Sequence, residues 1–262
     1  MMGLLSGKKG LIMGVANDRS AAWGIAKAAA EAGAEIAYSY QGEGLRSRVA
    51  ALAEQTGSSL LFECDASRDD GVSDCFAQLR QSWDEIDFVV HGIAFSDKSE
   101  LKGAYANTSR ANFAQTMRIS CYSFTEVARY AQEMMPRGGA LLTLSYLGGV
   151  RITPNYNVMG VAKAGLESSV RYLAVDLGGQ NIRVNGLSAG PMRTLSGAAI
   201  TGARHIFRHS EENAPLGRNP DIDEVGRSAL YLISDLSSGV TGEIHYCDGG
   251  FHHVGVAREP QG

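Results

Sequence analysis

Seven short runs of apolar residues, separated by longer stretches with helical spacing, constrain this chain most. They fall at 10–13, 35–39, 59–62, 86–91, 140–144, 182–187 and 243–246. Within each run apolar side chains follow one another instead of alternating with polar ones, so both faces of such a strand must be covered. The pattern predicts a parallel sheet with helices on both faces, a doubly wound α/β fold of the Rossmann type. No Pro/Ser linker or shift in composition divides the 262 residues, and only 6 are proline, so one domain over 1–262 is expected. Hydrophobic residues make up 44% and charged residues 20%, which excludes disordered and fibrous classes.

The net charge is −4 and no run of Lys or Arg stands out, so the chain carries no electrostatic footprint for nucleic acid or an anionic membrane. No stretch reaches membrane-spanning length, and the apolar run after Lys8-Lys9 is too short for a secretion signal. The 4 cysteines, Cys64, Cys75, Cys121 and Cys247, form no CxxC pair and suit reduced thiols. A cytoplasmic protein with neither nucleic-acid nor membrane partners is expected.

One segment breaks the strand-helix rhythm. Residues 191–215 follow the sixth strand, where open α/β sheets place their ligand crevice, and they mix Gly with Met192, Leu195, Ile200, Ile206 and Phe207. A substrate lid and an ordinary surface connection are both open, and the apolar content favours the lid. Residues 254–262 are expected to be a flexible tail.

After the first strand, Gly14 begins a loop that runs through Ser20 and Ala21 to Gly24, ten residues on. A glycine lets the chain turn off the strand, a second allows close packing of helix on sheet, and free N–H groups at the helix start can hold a pyrophosphate. The spacing is longer than GxGxxG, and glycines after a strand are also common turn residues. Where dinucleotide sites usually carry Asp or Glu at the end of the second strand, this chain has Gln41, with Arg46 and Arg48 beyond. Those arginines could face a 2′-phosphate or could be solvated surface charges. Asp65 ends the third strand, positioned to accept from an adenine amino group, and 91–94 offer little side-chain bulk beside a ligand.

The most informative residues are Tyr146, Tyr156 and Lys163. Seven residues separate Tyr156 from Lys163, and at about 100° per residue that is roughly two turns, which puts both on one helical face. A lysine cation near a phenol favours phenolate, and the phenol can hydrogen-bond an oxygen on which negative charge develops. An amphipathic helix with Tyr and Lys at its boundary would show the same pair.

Taken together, the Gly14–Gly24 loop, Gln41, Asp65, the Tyr146/Tyr156/Lys163 set, the Ala189-Gly190-Pro191-Met192-Arg193-Thr194-Leu195 stretch and residues 237–242 resemble the enoyl-acyl-carrier-protein reductases. These are a divergent branch of the short-chain dehydrogenase/reductase family, most of whose members have Tyr and Lys four apart. Here that nearer position is Met159, which has no acidic proton. The resemblance covers about 7–251. It implies hydride transfer from NADH, or less readily NADPH, to the β-carbon of a trans-2-enoyl thioester carried on acyl carrier protein, as in fatty acid synthesis. It further implies that Tyr156 hydrogen-bonds the thioester oxygen and that Tyr146 flanks it. Implied dinucleotide contacts are Gly14, Ser20, Ala21, Gln41, Asp65, Ala66, Ile93, Lys163, Met192, Arg193, Thr194, Leu195 and Ser196. On the substrate side are Ser96, Tyr146, Tyr156, Met159, Ile206 and Phe207, and Phe95 and Ile200 could complete an apolar groove. A homotetramer with helices packed between subunits is also implied. The alternatives are a carbonyl-reducing dehydrogenase of the same superfamily and a nucleotide-binding regulator without turnover.

Other candidates are set aside. His205 and His209 could share a helix face as metal ligands, but no Cys or carboxylate completes a set at recognisable spacing, so no metal is expected. Ser145 lies in no G-x-S-x-G elbow. His252-His253 reads as tail surface, and Met134-Met135 as core or subunit contact.

Overall fold

Seven strands, all parallel, form one sheet in the order β3-β2-β1-β4-β5-β6-β7. They are β1 Lys9–Met13, β2 Glu35–Tyr40, β3 Leu61–Glu63, β4 Phe88–His91, β5 Gly139–Ser145, β6 Ile182–Ala189 and β7 Ile244–Cys247. The fold is thus the single-domain doubly wound α/β arrangement that the continuous apolar runs predict. A computed structural model of the chain describes residues 3–192, 194 and 202–257.

The eight α-helices among the described residues are α1 Ala21–Glu31, α2 Glu43–Gln55, α3 Gly71–Arg80, α4 Arg110–Met117, α5 Ser123–Gln132, α6 Asn157–Gly178, α7 Ala203–Asn213 and α8 Ile222–Ile233. A π turn, Arg118–Tyr122, joins α4 to α5. Alternate residues of each strand feed two cores. Leu11, Met13 and Val89 pack with Phe76, Phe124 and Leu166 from α3, α5 and α6. Ile12, Phe88 and Val90 pack on the opposite face with Ile25, Val49 and Val225 from α1, α2 and α8. Fully burying a side chain of this size contributes about 1.5–3 kcal/mol, so the two layers fix the register of every strand. Met134 and Met135 lie in the first core, not on a surface.

The order reverses between β1 and β4, and their C-terminal ends open the crevice where such sheets take ligands. Gly14 leaves β1 with φ of 92°, and a Cβ there would lie 2.2 Å from the carbonyl oxygen of Gly92, which follows β4. Only glycine allows that approach. Gly24 is explained differently from the expectation that it eases packing against the sheet. A Cβ on it would meet the Ile222 carbonyl at 2.4 Å, and one on Gly226 would meet the Gly24 carbonyl at the same distance. The second loop glycine therefore serves a helix–helix crossing of α1 with α8.

A capping box starts α8: Asp221 accepts from the Glu224 N–H and Glu224 accepts from the Asp221 N–H. Arg218 adds two 2.7 Å hydrogen bonds to Glu224, and these, with the Asp221 amide, hold that carboxyl down at about 2.

The crossing yields a prediction. Gly24→Ala and Gly226→Ala should each lower stability to urea by about 1–3 kcal/mol through overpacking. Gly44→Ala in α2, whose Cβ would enter open space, should leave stability unchanged or raise it by a few tenths of a kcal/mol. Equal midpoints for all three variants would refute the close crossing.

Candidate active site

At the C-terminal end of β5, three consecutive residues each engage α6 or its cap. The carbonyl of Leu144 accepts a 2.7 Å hydrogen bond from Lys163 Nζ, and Ser145 Oγ donates to Glu167 Oε1 at 2.5 Å. The Tyr146 ring meets the Tyr156 ring edge-on, with centroids 5.1 Å apart. Gly148 makes the fit possible: a Cβ there would stand 2.4 Å from the Tyr156 ring and 3.1 Å from that of Tyr146.

Tyr156 and Lys163 are both buried, but they are not two residues of one helix. Tyr156 is the cap residue, with φ −101° and ψ −27°, and α6 begins at Asn157, itself at φ 38°. Tyr156, Met159, Val158 and Leu101 form a small apolar cluster of their own, with Tyr146 against it. Leu101, from the 3-10 turn Lys98–Leu101, carries no motif that would mark it in advance.

The electrostatics overturn one expectation. Burial first, then Tyr146 and Glu167, push the Tyr156 phenol above its ordinary value, so it stays protonated near neutral pH instead of forming a phenolate. A neutral phenol is the form that donates a hydrogen bond. Lys163 is drawn down to about 8 by burial, against which Glu167 and Cys121 pull it upward. Burial raises the Tyr146 phenol too, opposed by a hydrogen bond with Thr153.

Behind Lys163 lies a polar layer that spacing did not disclose. His91, at the end of β4, has Nδ1 2.9 Å from Thr143 Oγ1 and Nε2 2.8 Å from Ser123 Oγ. Ser123 Oγ also donates to the Ile119 carbonyl and Thr143 Oγ1 to the His91 carbonyl, so each ring nitrogen meets a hydroxyl that is itself anchored to backbone. Burial, then the nearby Lys163, hold His91 down at about 3. The π turn places these groups: Ser120 accepts from the Phe95 N–H and donates to the Phe95 carbonyl, pinning the loop after β4. Such turns often mark functional sites.

At the nucleotide end the pieces come together as well. Ser20 Oγ accepts from the N–H groups of Ala16 and Asn17, shaping the loop after Gly14, and it makes no side-chain hydrogen bond to the first turn of α1. Of the first-turn N–H groups, those of Trp23 and Gly24 donate to the Ser20 carbonyl, which leaves those of Ala21 and Ala22 for an anion. Gln41 Nε2 donates to Asp65 Oδ1 at 3.1 Å, linking the ends of β2 and β3. Burial tends to raise the Asp65 carboxyl, but hydrogen bonds from Ser67 and Gln41 outweigh it and hold the group below its usual range. Ala66 is buried beside it, and Ile93 and Met192 pack partly buried on the two cores. Of the two arginines, Arg46 pairs with Glu43 at 3.7 Å and Arg48 reaches the Ala16 carbonyl at 3.5 Å.

Other expected site residues fare differently. Ser96 is buried and its hydroxyl is held by Asn112 and Thr116, so toward a ligand it offers backbone only. Ile206 and Phe207 are half-buried on α7, whose leading Gly202 approaches Asn155 just before Tyr156. Thr194 donates its N–H to the Met192 carbonyl. Arg193, Leu195, Ser196 and Ile200, with much of the expected lid and the end of the expected tail, lie outside the described residues. His252 is not simply tail surface: its ring binds Asp248 at 3.0 Å and stacks on Tyr246 at 4.0 Å. Among the described residues no cluster could hold a metal ion, and no helix is long and apolar enough to cross a membrane.

A parallel sheet with this strand order and a Tyr/Lys pair at its C-terminal edge defines the class of Rossmann-fold dehydrogenases and reductases. The model of the family described as enoyl-(acyl carrier protein) reductase matches residues 14–252. The enoyl-acyl-carrier-protein reductase (NADH) 1 of Rhizobium meliloti is 58% identical over 254 residues, covering 97% of this chain and 93% of its own. The crystal structure of FabI from Candidatus Liberibacter asiaticus superposes with a TM-score of 0.96 at 53% identity, covering 98% of this chain and all of that one. The Anaplasma phagocytophilum reductase, in complex with NAD, gives 0.94 at 51% identity over 99% of this chain and 97% of its own. The chain belongs to the enoyl-acyl-carrier-protein reductase family.

Buried neutral His91 sets a pH dependence of stability. Its ordinary value of 6.5 applies to the unfolded chain and about 3 to the folded one, so the unfolded state binds the extra proton. The stability is present above pH 6.5 and lost as pH falls toward 3, by up to about 1.4 kcal/mol per unit. Urea midpoints at pH 7.5 and 5 should therefore differ less in His91→Gln than in the unaltered protein. An equal difference would remove His91 as a contributor.

Proposed function

We propose that this chain reduces the carbon-carbon double bond of trans-2-enoyl thioesters on acyl carrier protein, with NADH as hydride donor, in the elongation cycle of fatty acid synthesis. The observation that carries the proposal is the placing of buried Tyr156 and Lys163 with half-buried Tyr146 at one end of β5, in a chain 58% identical to a reductase named for NADH. In the fold's crevice the N–H groups of Ala21 and Ala22 beside Ser20 would hold the pyrophosphate of NADH, Gln41 and Asp65 would hold its adenosine end, and Ala66, Ile93, Met192 and Thr194 would line the path. Arg193, Leu195 and Ser196 complete this proposed contact set. When bound, the cofactor supplies the hydride.

The chain's own residues handle the oxygen. The Tyr156 hydroxyl, held neutral by burial, donates to the thioester oxygen as enolate charge grows there, and Tyr146 fixes the ring that carries it. Lys163 in its charged form adds positive potential and binds the nicotinamide ribose. Met159 stands where carbonyl-reducing relatives have their tyrosine, which disfavours ketone reduction. The apolar cluster of Tyr156, Met159 and Leu101 suits an acyl chain, to which Ile206 and Phe207 of α7 would add apolar surface. In this scheme 191–215 acts as a lid and the protein works in the cytoplasm. A homotetramer is supported by exposed apolar side chains on two neighbouring helical elements, Phe113 and Tyr122 on one and Tyr172 and Val175 on the other.

The test follows loss of reduced-nicotinamide absorbance with crotonyl and longer enoyl thioesters, NADH and NADPH side by side. Enoyl-dependent oxidation of NADH is expected, and NADH binding without turnover on any chain length would refute the proposal. Tyr156→Phe should lower kcat by about 10²–10³-fold with NADH affinity unchanged. Lys163→Ala should weaken NADH binding as well as turnover, and a fall in rate alone would remove the ribose contact.

A further inference from the structure

Glu167 is a carboxylate with 3% of its surface exposed, one turn beyond Lys163 on α6, and the scheme above gives it no part. Burying such a group costs several kcal/mol unless it is compensated, so its surroundings should explain why it is there. Its Oε1 accepts from Ser145 Oγ, the residue between the one that holds Lys163 and the one that packs on Tyr156. A Cβ on Gly149 would lie 3.2 Å from the same Oε1 and 3.1 Å from the Lys163 carbonyl carbon, so the loop after β5 is closed over this stretch of helix. Three consecutive residues, Leu144 and Ser145 of β5 and Tyr146 just after it, thus seat three groups of one site, and two of the three already have roles. From a carbonyl and a hydroxyl alone, β5 would leave Lys163 with no compensating charge.

We propose that Glu167 is a positioning residue of the reduction: fixed by Ser145, its carboxylate keeps the buried Lys163 ammonium charged while the cofactor occupies the crevice. The inference rests on the reductase reading and deepens it. The groups facing Lys163 are His91 on β4, the Leu144 carbonyl on β5, Cys121 on the π turn and Glu167 on α6. His91 is neutral and Cys121 is pushed up by burial, which leaves Glu167 as the anion among them. Glu167 itself faces Ser145 on β5, Lys163 and Arg171 on α6, and Tyr246 on β7. Burial lifts its carboxyl, and Ser145, Arg171 and Lys163 pull it back toward the charged form.

The sign of the effect can be stated. Removing the anion lowers the pH at which Lys163 loses its proton, so activity that needs the cation fails earlier as pH rises. Glu167→Gln keeps an oxygen for Ser145 and removes only the charge. Its alkaline limb in kcat/KM should move to lower pH by about one unit, giving a several-fold loss at pH 8 that is largely recovered at pH 6. NADH affinity, followed by fluorescence without any thioester, should show the same shift. Ser145→Ala, which keeps the charge but frees its orientation, should shift the limb in the same direction by less, and it serves as the test if Glu167→Gln does not fold. A loss of activity equal at pH 6 and pH 8, or an unchanged limb, would overturn the proposal and leave Glu167 a packing residue. Failure of the unaltered protein to oxidise NADH with enoyl thioesters would instead sink the reductase reading, and the NADH-affinity profile would still test Glu167.

Discussion

Lys163 donates to the Leu144 carbonyl over 2.7 Å from a position with only 6% of its surface exposed. An ammonium at that depth cannot be left unpaired, and the whole C-terminal end of β5 is arranged around the need. The carbonyl lies near the strand's end, one residue past the last pair with β4, which is Thr143 with His91. The helix that carries Lys163 can approach because Gly148 and Gly149 present no side chain. The same approach brings Tyr156, at the cap of α6, onto Tyr146. Placing one cation therefore fixes the separation of strand and helix, and that separation fixes the tyrosines.

The sheet supplies the second requirement. Because strands on either side of β1 run outward in opposite directions of sequence, the ends of β1 and β4 diverge only after Gly14 and Gly92 have passed almost in contact. That near contact defines the floor of the crevice. The nucleotide-side groups, Ser20, Gln41 and Asp65, follow β1, β2 and β3 in turn, while His91, Tyr146 and Lys163 follow β4, β5 and the helix after it. The two halves of the site belong to the two halves of the sheet, joined at its switch point.

Much of this is visible in the sequence because burial on both faces leaves a continuous apolar signature. All seven strands fall within two residues of the runs that predict them, and β4 starts late because the Ile86 N–H is taken by the Met134 carbonyl. The tyrosines and the lysine stand out in the sequence, but not through the helical spacing expected of them, since Tyr156 caps α6. What is not legible depends on neighbours distant in sequence. Gly24 looks like a loop glycine, yet its partner is α8, some two hundred residues on. Ser96 looks like a site hydroxyl, but Asn112 and Thr116 claim it. His91 has no motif, and its role emerges only when Thr143 and Ser123 flank it. The protonation of Tyr156 is decided by depth, which spacing does not encode. Glu167 offered one sign, its four-residue step from Lys163.

The π turn between α4 and α5 bears on how this stretch can be compared with other chains. From Arg110 to Gln132 the backbone stays helical, but Arg118–Tyr122 holds wider turns, so the residues after it are rotated relative to those before it. Steps of three or four counted across Met117 therefore land on the wrong side. Ser120 and Ser123 reach Phe95 and His91 because of that rotation. A chain of the same composition but one residue shorter here would form the more regular helix, and it would turn one of these two serines away from the sheet. Length, more than residue type, is the quantity this segment has to preserve.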